Sequence, residues 1–290
     1  MSSSINQDFT AKGLLKFAMP SIIMMVFMSC YTIVDGIFVS RFVGSNALSS
    51  LNIVYPVEGL VVAVATMLST GGNAIISNYL GQGKPKESRA FMTQFVVLGL
   101  LFSVLIMAIV FIFLTPICRA LGSTDALLSD AQIYLKILIL FAPACMLQTF
   151  FQCFFVTAGK PHLGLFLMIG AGVLNAVLDY VLIVPLHMGI GGAALATGIG
   201  QTLPAVVGII FFFTRSTELY FTPFKFNLKV IGEACYNGSS EMVSQLSNSI
   251  VTFLFNTILI RLVGSAGVAA ISILLYGQFL FNAFYLGLSI

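Results

Sequence analysis

"SRFVGSNALSSLNIVYPV" runs from Ser40 to Val57, and "IRLVGSAGVAAISILLYG" runs from Ile260 to Gly277. Arg41, Val43, Gly44, Ser45 and Ile53 of the first stretch recur as Arg261, Val263, Gly264, Ser265 and Ile273 of the second, at a constant offset of 220 residues. Each stretch closes one apolar run, turns through a Gly-Ser loop and opens another. Identities at a loop between matching hydrophobic patterns mark an internal duplication, and a duplication constrains the whole architecture.

The residues around the two copies are those of an integral membrane protein. Of the chain, 59% is hydrophobic and 8% is charged, with a mean hydropathy of +1.05; a soluble domain carries about 25% charged residues. The apolar runs are long enough for helices and lack the alternation of barrel strands. Eight candidate spans emerge, at about 14–40, 47–79, 92–116, 131–155, 163–185, 190–213, 231–260 and 266–289. Six spans separate the copies, so both have the same orientation, which is the parallel repeat of some two-lobed transporters. The expected fold is all-α: a six-helix N-terminal lobe over residues 1–219, then the first two helices of a repeated C-terminal lobe over 220–290. A second lobe of six would need four more helices. On this reading the chain is truncated after the eighth helix, or its partner helices come from elsewhere.

The net charge is +3, and the basic residues are scattered over short loops, which argues against nucleic acid as a partner. Cys30, Cys118, Cys145, Cys153 and Cys235 are odd in number, form no CxxC pair and read as packing residues. His162 and His187 fall in separate loops, so no histidine metal site is expected. The apolar run from Leu14 to Val39 is too long for a signal peptide and reads as a retained helix. Placing the N-terminus in the cytoplasm puts Lys12, Lys16, Lys84, Lys86, Arg89, Lys160, Arg215, Lys225 and Lys229 inside, and Arg41, Arg119, Lys136 and Arg261 outside. This nine-to-four split follows the positive-inside rule. Gly122–Asp125 and His187 then face outward.

Asp35, Glu58, Asp179 and Glu241 lie inside predicted spans. A charge at the bilayer centre costs roughly 2.5–3.5 kcal/mol on insertion scales, so each needs a partner, a proton or a water-filled cavity. Asp35 lies six residues before Arg41, Asp179 six before Pro185 and Thr197 six after Gly191, each roughly 9 Å along its helix from the outer loops. Asn175 shares a helix face with Asp179. Two carboxylates, an amide oxygen and a hydroxyl therefore meet at one depth. Hard oxygens suit Na⁺, and paired carboxylates suit a proton. Blander readings stay open: Asp35 reaching the outer interface, or Asp179 and Asn175 as interhelical glue. Glu58 and Glu241 either face a central cavity or pair with polar neighbours. Tyr134 reads as an interfacial aromatic. Met24, Met25 and Met28 pack or line an adaptable substrate surface.

"YTIVDGIFVSRFVGSNALSSLNIVYPV", "NYLGQGKPKESR" and "NAVLDYVLIVPLHMGIGGAALATGIGQ" resemble signatures of the MATE (multidrug and toxic compound extrusion) family, closest to its bacterial multidrug branch. The resemblance implies two six-helix lobes, alternating access, and export of drugs or organic cations driven by inward Na⁺ or H⁺. It implies a transporter rather than an enzyme, with no cofactor and no metal beyond Na⁺. It carries cation-site roles to Asp35, Asn175, Asp179 and Thr197, and also to Tyr134. Glu58, Glu241 and Met28 are the candidates for the substrate cavity. The implied setting is the bacterial plasma membrane, as a multi-pass protein that is monomeric at full length. On that basis the 290-residue chain is expected to insert and bind a cation without exporting drug by itself. A lipid-linked oligosaccharide flippase of the same superfamily is one rival, disfavoured because the membrane interior offers almost no basic residue for a pyrophosphate. A polytopic membrane enzyme is the other, and it lacks acidic or histidine motifs at a membrane face.

Overall fold

A computed structural model of the chain describes residues 33, 35–214, 217–264, 267, 270, 271, 273–275, 277, 278 and 281. Met24, Met25, Met28, Cys30 and Arg215 fall outside these residues, as do most of the first and eighth predicted spans. The described part of the first span ends in a π-helical turn, Val39–Val43. The helices that follow are α1 (Ser45–Gly81), α2 (Pro85–Ile112), α3 (Leu114–Ala120), α4 (Asp125–Leu140), α5 (Ala142–Thr157), α6 (Pro161–Ile183), α7 (Gly189–Phe213), α8 (Leu228–Asn237) and α9 (Ser239–Leu262). Among the described residues there is no strand. The helices α1, α2, α6, α7 and α9 are each long and apolar enough to cross a membrane, and α4 with α5 is long and apolar enough as a pair, bent by 52°.

Three expected spans are therefore broken helices. Span 131–155 bends at Phe141, because Pro143 offers no N–H to the Ile139 carbonyl and its ring crowds that carbonyl. Pro116 stands in the same relation to Ile112, and span 92–116 breaks at Phe113 between α2 and α3. Span 231–260 breaks at Gly238, inside a Gly-Ser-Ser run of weak helix formers. The duplication extends to the backbone. Gly44 has φ 125° and Gly264 has φ 80°, conformations that side chains with a Cβ rarely adopt.

The core is a phenylalanine block in the first lobe. Phe150, Phe151, Phe154, Phe155 and Phe212 are all at most 1% exposed. Phe212 stacks on Phe155 at 5.5 Å and packs against Phe151 at 5.4 Å, joining α7 to α5. Phe221, from the connection that leads to the second lobe, also reaches Phe212, at 6.1 Å. The sequence marks that connection as a plain loop. Instead it is strapped to the first turns of α2. Arg89 donates from Nε to the Glu218 carbonyl at 2.6 Å and from Nη1 to the Tyr220 hydroxyl at 2.7 Å. The Thr222 N–H donates to Thr93 Oγ1, and Gln94 exchanges two hydrogen bonds with the backbone of Asn227. Arg89, Thr93 and Gln94 occupy one face of α2.

The first helices of the second lobe lie along α1. Asn52 Nδ2 donates to Asn256 Oδ1 at 3.1 Å, and Asn256 Nδ2 donates to the Asn52 carbonyl at 2.9 Å. Farther along α1, Gly71 sits against the Ala234 carbonyl and Gly238 against that of Met67, so the break between α8 and α9 is seated on α1.

Basic residues sort to two ends. Contacts between Ser77 and Thr157 and between Arg89 and Glu218 bring the α1–α2 turn, the α5–α6 turn and the interlobe connection together. Lys84, Lys86, Arg89, Lys160, Lys225 and Lys229 thus share one end. Arg41, Arg119 and Arg261 belong to the other, where Arg119 pairs with Asp125 at 2.6 Å.

Candidate cation-binding site

The acid on the first span precedes the π-helical turn, in which Gly44 N–H bonds five residues back to the Val39 carbonyl at 3.0 Å. Such turns occur often at functional sites because they shift the helical register by one residue. Phe38 meets the ring of Tyr180 edge-on at 6.4 Å, tying this turn to α6 beside Asp179. The helices α6 and α7 pack closely as a pair. A Cβ on Gly200 would stand 3.2 Å from the Ala171 carbonyl oxygen and 3.2 Å from Asn175 Cβ, so glycine lets α7 approach the polar face of α6.

These elements bring four of the sequence candidates together. The carboxyl groups of Asp35 and Asp179 lie within hydrogen-bonding reach of each other. Asn175 Nδ2 points to Thr197 Oγ1 at 3.5 Å. Asp179 is 0% exposed and Asn175 is 3% exposed. Among the described residues, Asp35 Oδ1, both Asp179 oxygens and Asn175 Oδ1 are buried and accept no hydrogen bond. Four buried acceptors without a donor are costly, and two of the groups are acids. A proton shared by the carboxyls, or a small cation held among the oxygens, relieves the cost.

Tyr134 is not at the interface. It is 4% exposed and packs in the main core on α4, because its position faces the lobe interior and not the helix end. Glu241 lies in the first turn of α9 and is exposed. Glu58 faces inward from α1 and accepts from Gln201 Nε2 at 3.4 Å. Met28 lies outside the described residues.

Two amides escaped the sequence reading. Gln148, Asn175, Thr197, Gln201 and Met168 line a small cavity of about 20 Å³ next to the carboxyl pair, enough for about one water molecule. Gln148 Oε1 is buried there without a donor. Gln201 also walls a second cavity, shared with Glu58. The available signal was a polar amide within an apolar span, the same signal that singled out the acids.

Residues 20–181, more than half of the chain, match the MatE family model. The chain belongs to the MATE family. It is 28% identical over 206 residues to a multidrug export protein, MepA, of Staphylococcus saprophyticus, a match that covers 71% of this chain and 46% of that protein. MepA of Staphylococcus haemolyticus is 26% identical over 210 residues, covering 72% and 46%. The chain thus spans about half the length of the curated relatives it matches. Its fold superposes on the MATE multidrug transporter DinF-BH with a TM-score of 0.88 at 26% identity, covering 96% of this chain and 63% of that one. An inward-facing MATE family transporter of the MOP superfamily shares the fold at a TM-score of 0.84 and 23% identity, covering 93% and 63%. The all-α membrane fold expected from the sequence is therefore that of MATE transporters.

Proposed function

We propose that this MATE chain carries the coupling half of an exporter of drugs or organic cations, in which inward movement of Na⁺ or H⁺ drives efflux by alternating access. The observation that carries the proposal is the cluster of unpartnered buried oxygens at Asp35, Asp179 and Asn175. In this reading Asp35 and Asp179 hold the cation, Asn175 and Thr197 complete the oxygen shell, and Tyr134 supports it from α4. Residues 1–219 form the cation-binding lobe, and residues 220–290 begin the lobe that closes over a central cleft. Glu241 belongs to that cleft, and the working unit is a monomer. Among the described residues no Lys or Arg is buried, which favours a cationic substrate over a lipid-linked pyrophosphate.

The test is efflux of a fluorescent organic cation from drug-sensitive bacterial cells expressing this chain extended by the remaining helices of a six-helix second lobe. Imposed Na⁺ or pH gradients should each be applied separately. Efflux that follows one of them is the expected result. Efflux unaffected by collapsing both gradients would refute cation coupling.

We also propose that the end bearing Lys84, Lys86, Arg89 and Lys160 is cytoplasmic, in a plasma-membrane setting with the N-terminus inside. Lys86 and Thr124 are exposed at opposite ends, whereas Ser123 is buried and unsuited to labelling. In a cysteine-free background, Thr124→Cys is expected to react with an impermeant maleimide in intact cells and Lys86→Cys only after lysis. The opposite pattern would invert the topology.

A further inference from the structure

Among the described residues, Glu58 is the acidic side chain inside the first lobe that the proposed cation site does not use. Its cavity, about 20 Å³, is bounded by Val61 of α1, Leu135, Leu138 and Ile139 of α4, Ala142 and Cys145 of α5, and Gln201 of α7. All of these belong to the first lobe, so Glu58 looks into that lobe and not toward the second. It accepts a hydrogen bond from Gln201 Nε2 at 3.4 Å, which is long for a charge-assisted bond. Among the described residues the only ion pair is Arg119–Asp125, at the far end of the helices, so Glu58 has no cationic partner there. A carboxylate walled by Leu, Ile, Val and Ala requires a positive charge or a proton.

The second observation is the wall that Glu58 shares. Gln201 lines both small cavities: its own with Glu58, and the one with Gln148, Asn175 and Thr197. The latter presents two buried oxygens with no donor, Gln148 Oε1 and Asn175 Oδ1. Asp35 lies within electrostatic range of Glu58, and Tyr55 and Cys145 are its other titratable neighbours. Yet among the described residues no three acidic, histidine or cysteine groups converge on a single ion position. Glu58 is therefore adjacent to the Asp35–Asp179 pair without being part of it.

We propose that Glu58 and Gln201 form a second station for the monovalent coupling cation, joined to the Asp35–Asp179 site through the amide-lined cavity of Gln148, Asn175 and Thr197. The inference rests on the cation-coupled reading above. It adds to that reading a path: the cation exchanges between two carboxylate stations, with Gln201 as the shared ligand. A small cation bearing one positive charge, either Na⁺ or a proton, fits cavities of this size, whereas an organic cation does not.

The experiment uses the purified chain in lipid nanodiscs. Binding of ²²Na⁺ is titrated at fixed pH, and proton uptake is followed with a pH indicator in Na⁺-free buffer. The two arms tell the two cations apart. Glu58→Gln keeps the shape and removes the charge, and Gln201→Met removes the bridging amide from a different helix. Each is expected to weaken binding of the coupling cation about tenfold while the protein remains monodisperse. Asp179→Asn, measured beside them, is expected to lose binding. If Glu58→Gln and Gln201→Met bind as the unsubstituted chain does, while Asp179→Asn does not, the second station is overturned and the first stands. If either variant melts at a lower temperature with an unchanged half-saturation, the Glu58–Gln201 contact is only structural, and the proposal again fails. Undiminished binding by Asp179→Asn overturns the cation site itself, and the second station with it.

Discussion

Asp179→Asn and Asp35→Asn are each expected to abolish cation binding, with at least a hundredfold loss of affinity, while leaving membrane insertion and helix content intact. The magnitude follows from the geometry. Hydrogen bonds and contacts to a charged group are worth about 1.5–3 kcal/mol each, and a carboxylate that loses its partner in a buried site forfeits more than one of them. The two carboxyl groups lie within hydrogen-bonding reach of each other, so they are expected to act as a unit, each substitution removing the charge that makes the other useful. The double variant should therefore lose no more than either single one, a departure from additivity that marks direct coupling. Asn175→Leu and Thr197→Val remove one oxygen each and should cost about tenfold. The measurement is ²²Na⁺ binding and proton uptake by the purified protein, with circular dichroism as the check on folding. Strictly additive losses in the double variant would mean that Asp35 and Asp179 serve separate sites. Neutralising a buried acid also removes a burden on the fold, so both variants should melt at the same or a higher temperature in cation-free buffer. A sharp fall in melting temperature would instead indicate that the pair is structural glue.

Why that pair is legible in the sequence, while its neighbours are not, has a physical cause. A carboxylate in an apolar run is expensive, so Asp35 and Asp179 stand out at once, and counting residues from the loop ends puts both at one depth because helical rise is constant. An amide costs far less to bury than a charge, so Gln148 and Gln201 do not stand out, although they line the cavity beside the acids. Tyr134 misleads for a related reason. Tyrosine at a helix end favours the interface, but which way a side chain faces depends on how α4 turns after Thr124, and that is set by packing. The spans themselves are plain from some 20 apolar residues apiece. Their breaks are hidden, because hydropathy averages over a single proline or glycine. Pro143, Pro116 and Gly238 leave the apolar count nearly unchanged while interrupting the hydrogen-bond ladder. The strap from Arg89, Thr93 and Gln94 to the interlobe connection is also beyond the sequence, since it joins residues about 130 positions apart.

Gly71→Leu and Gly238→Leu are expected to prevent the second lobe from docking on the first. At Gly71 a Cβ would run into the Ala234 carbonyl, and at Gly238 it would run into the Met67 carbonyl. Both obstacles are backbone atoms of a facing helix, so no rotamer change relieves them, and α1 must move away from the break between α8 and α9. Overpacking of a tight core costs about 1–3 kcal/mol where side chains can adjust, and more where they cannot. Between membrane helices the penalty weighs further, because close backbone approach through small residues is itself the source of association. The separation would also pull on the Asn52–Asn256 pair, whose bonds at 3.1 and 2.9 Å have no water to replace them in a membrane interior. Gly232→Ala is the matched control. It lies on α8 with nothing within 4 Å of an added Cβ, and alanine there should gain about 0.5–1 kcal/mol from helix propensity. Fluorescence-detected size exclusion and thermal melting in mild detergent measure all three. Gly71→Leu and Gly238→Leu should lose the monodisperse peak or melt many degrees lower, with Gly232→Ala unchanged or slightly higher. A cysteine pair bridging α1 and α9, such as Asn52→Cys with Asn256→Cys, should cross-link readily in the unsubstituted background and poorly beside Gly71→Leu. Equal cross-linking in both backgrounds would mean that the seam tolerates a side chain there, and that the two glycines do not govern how the lobes meet.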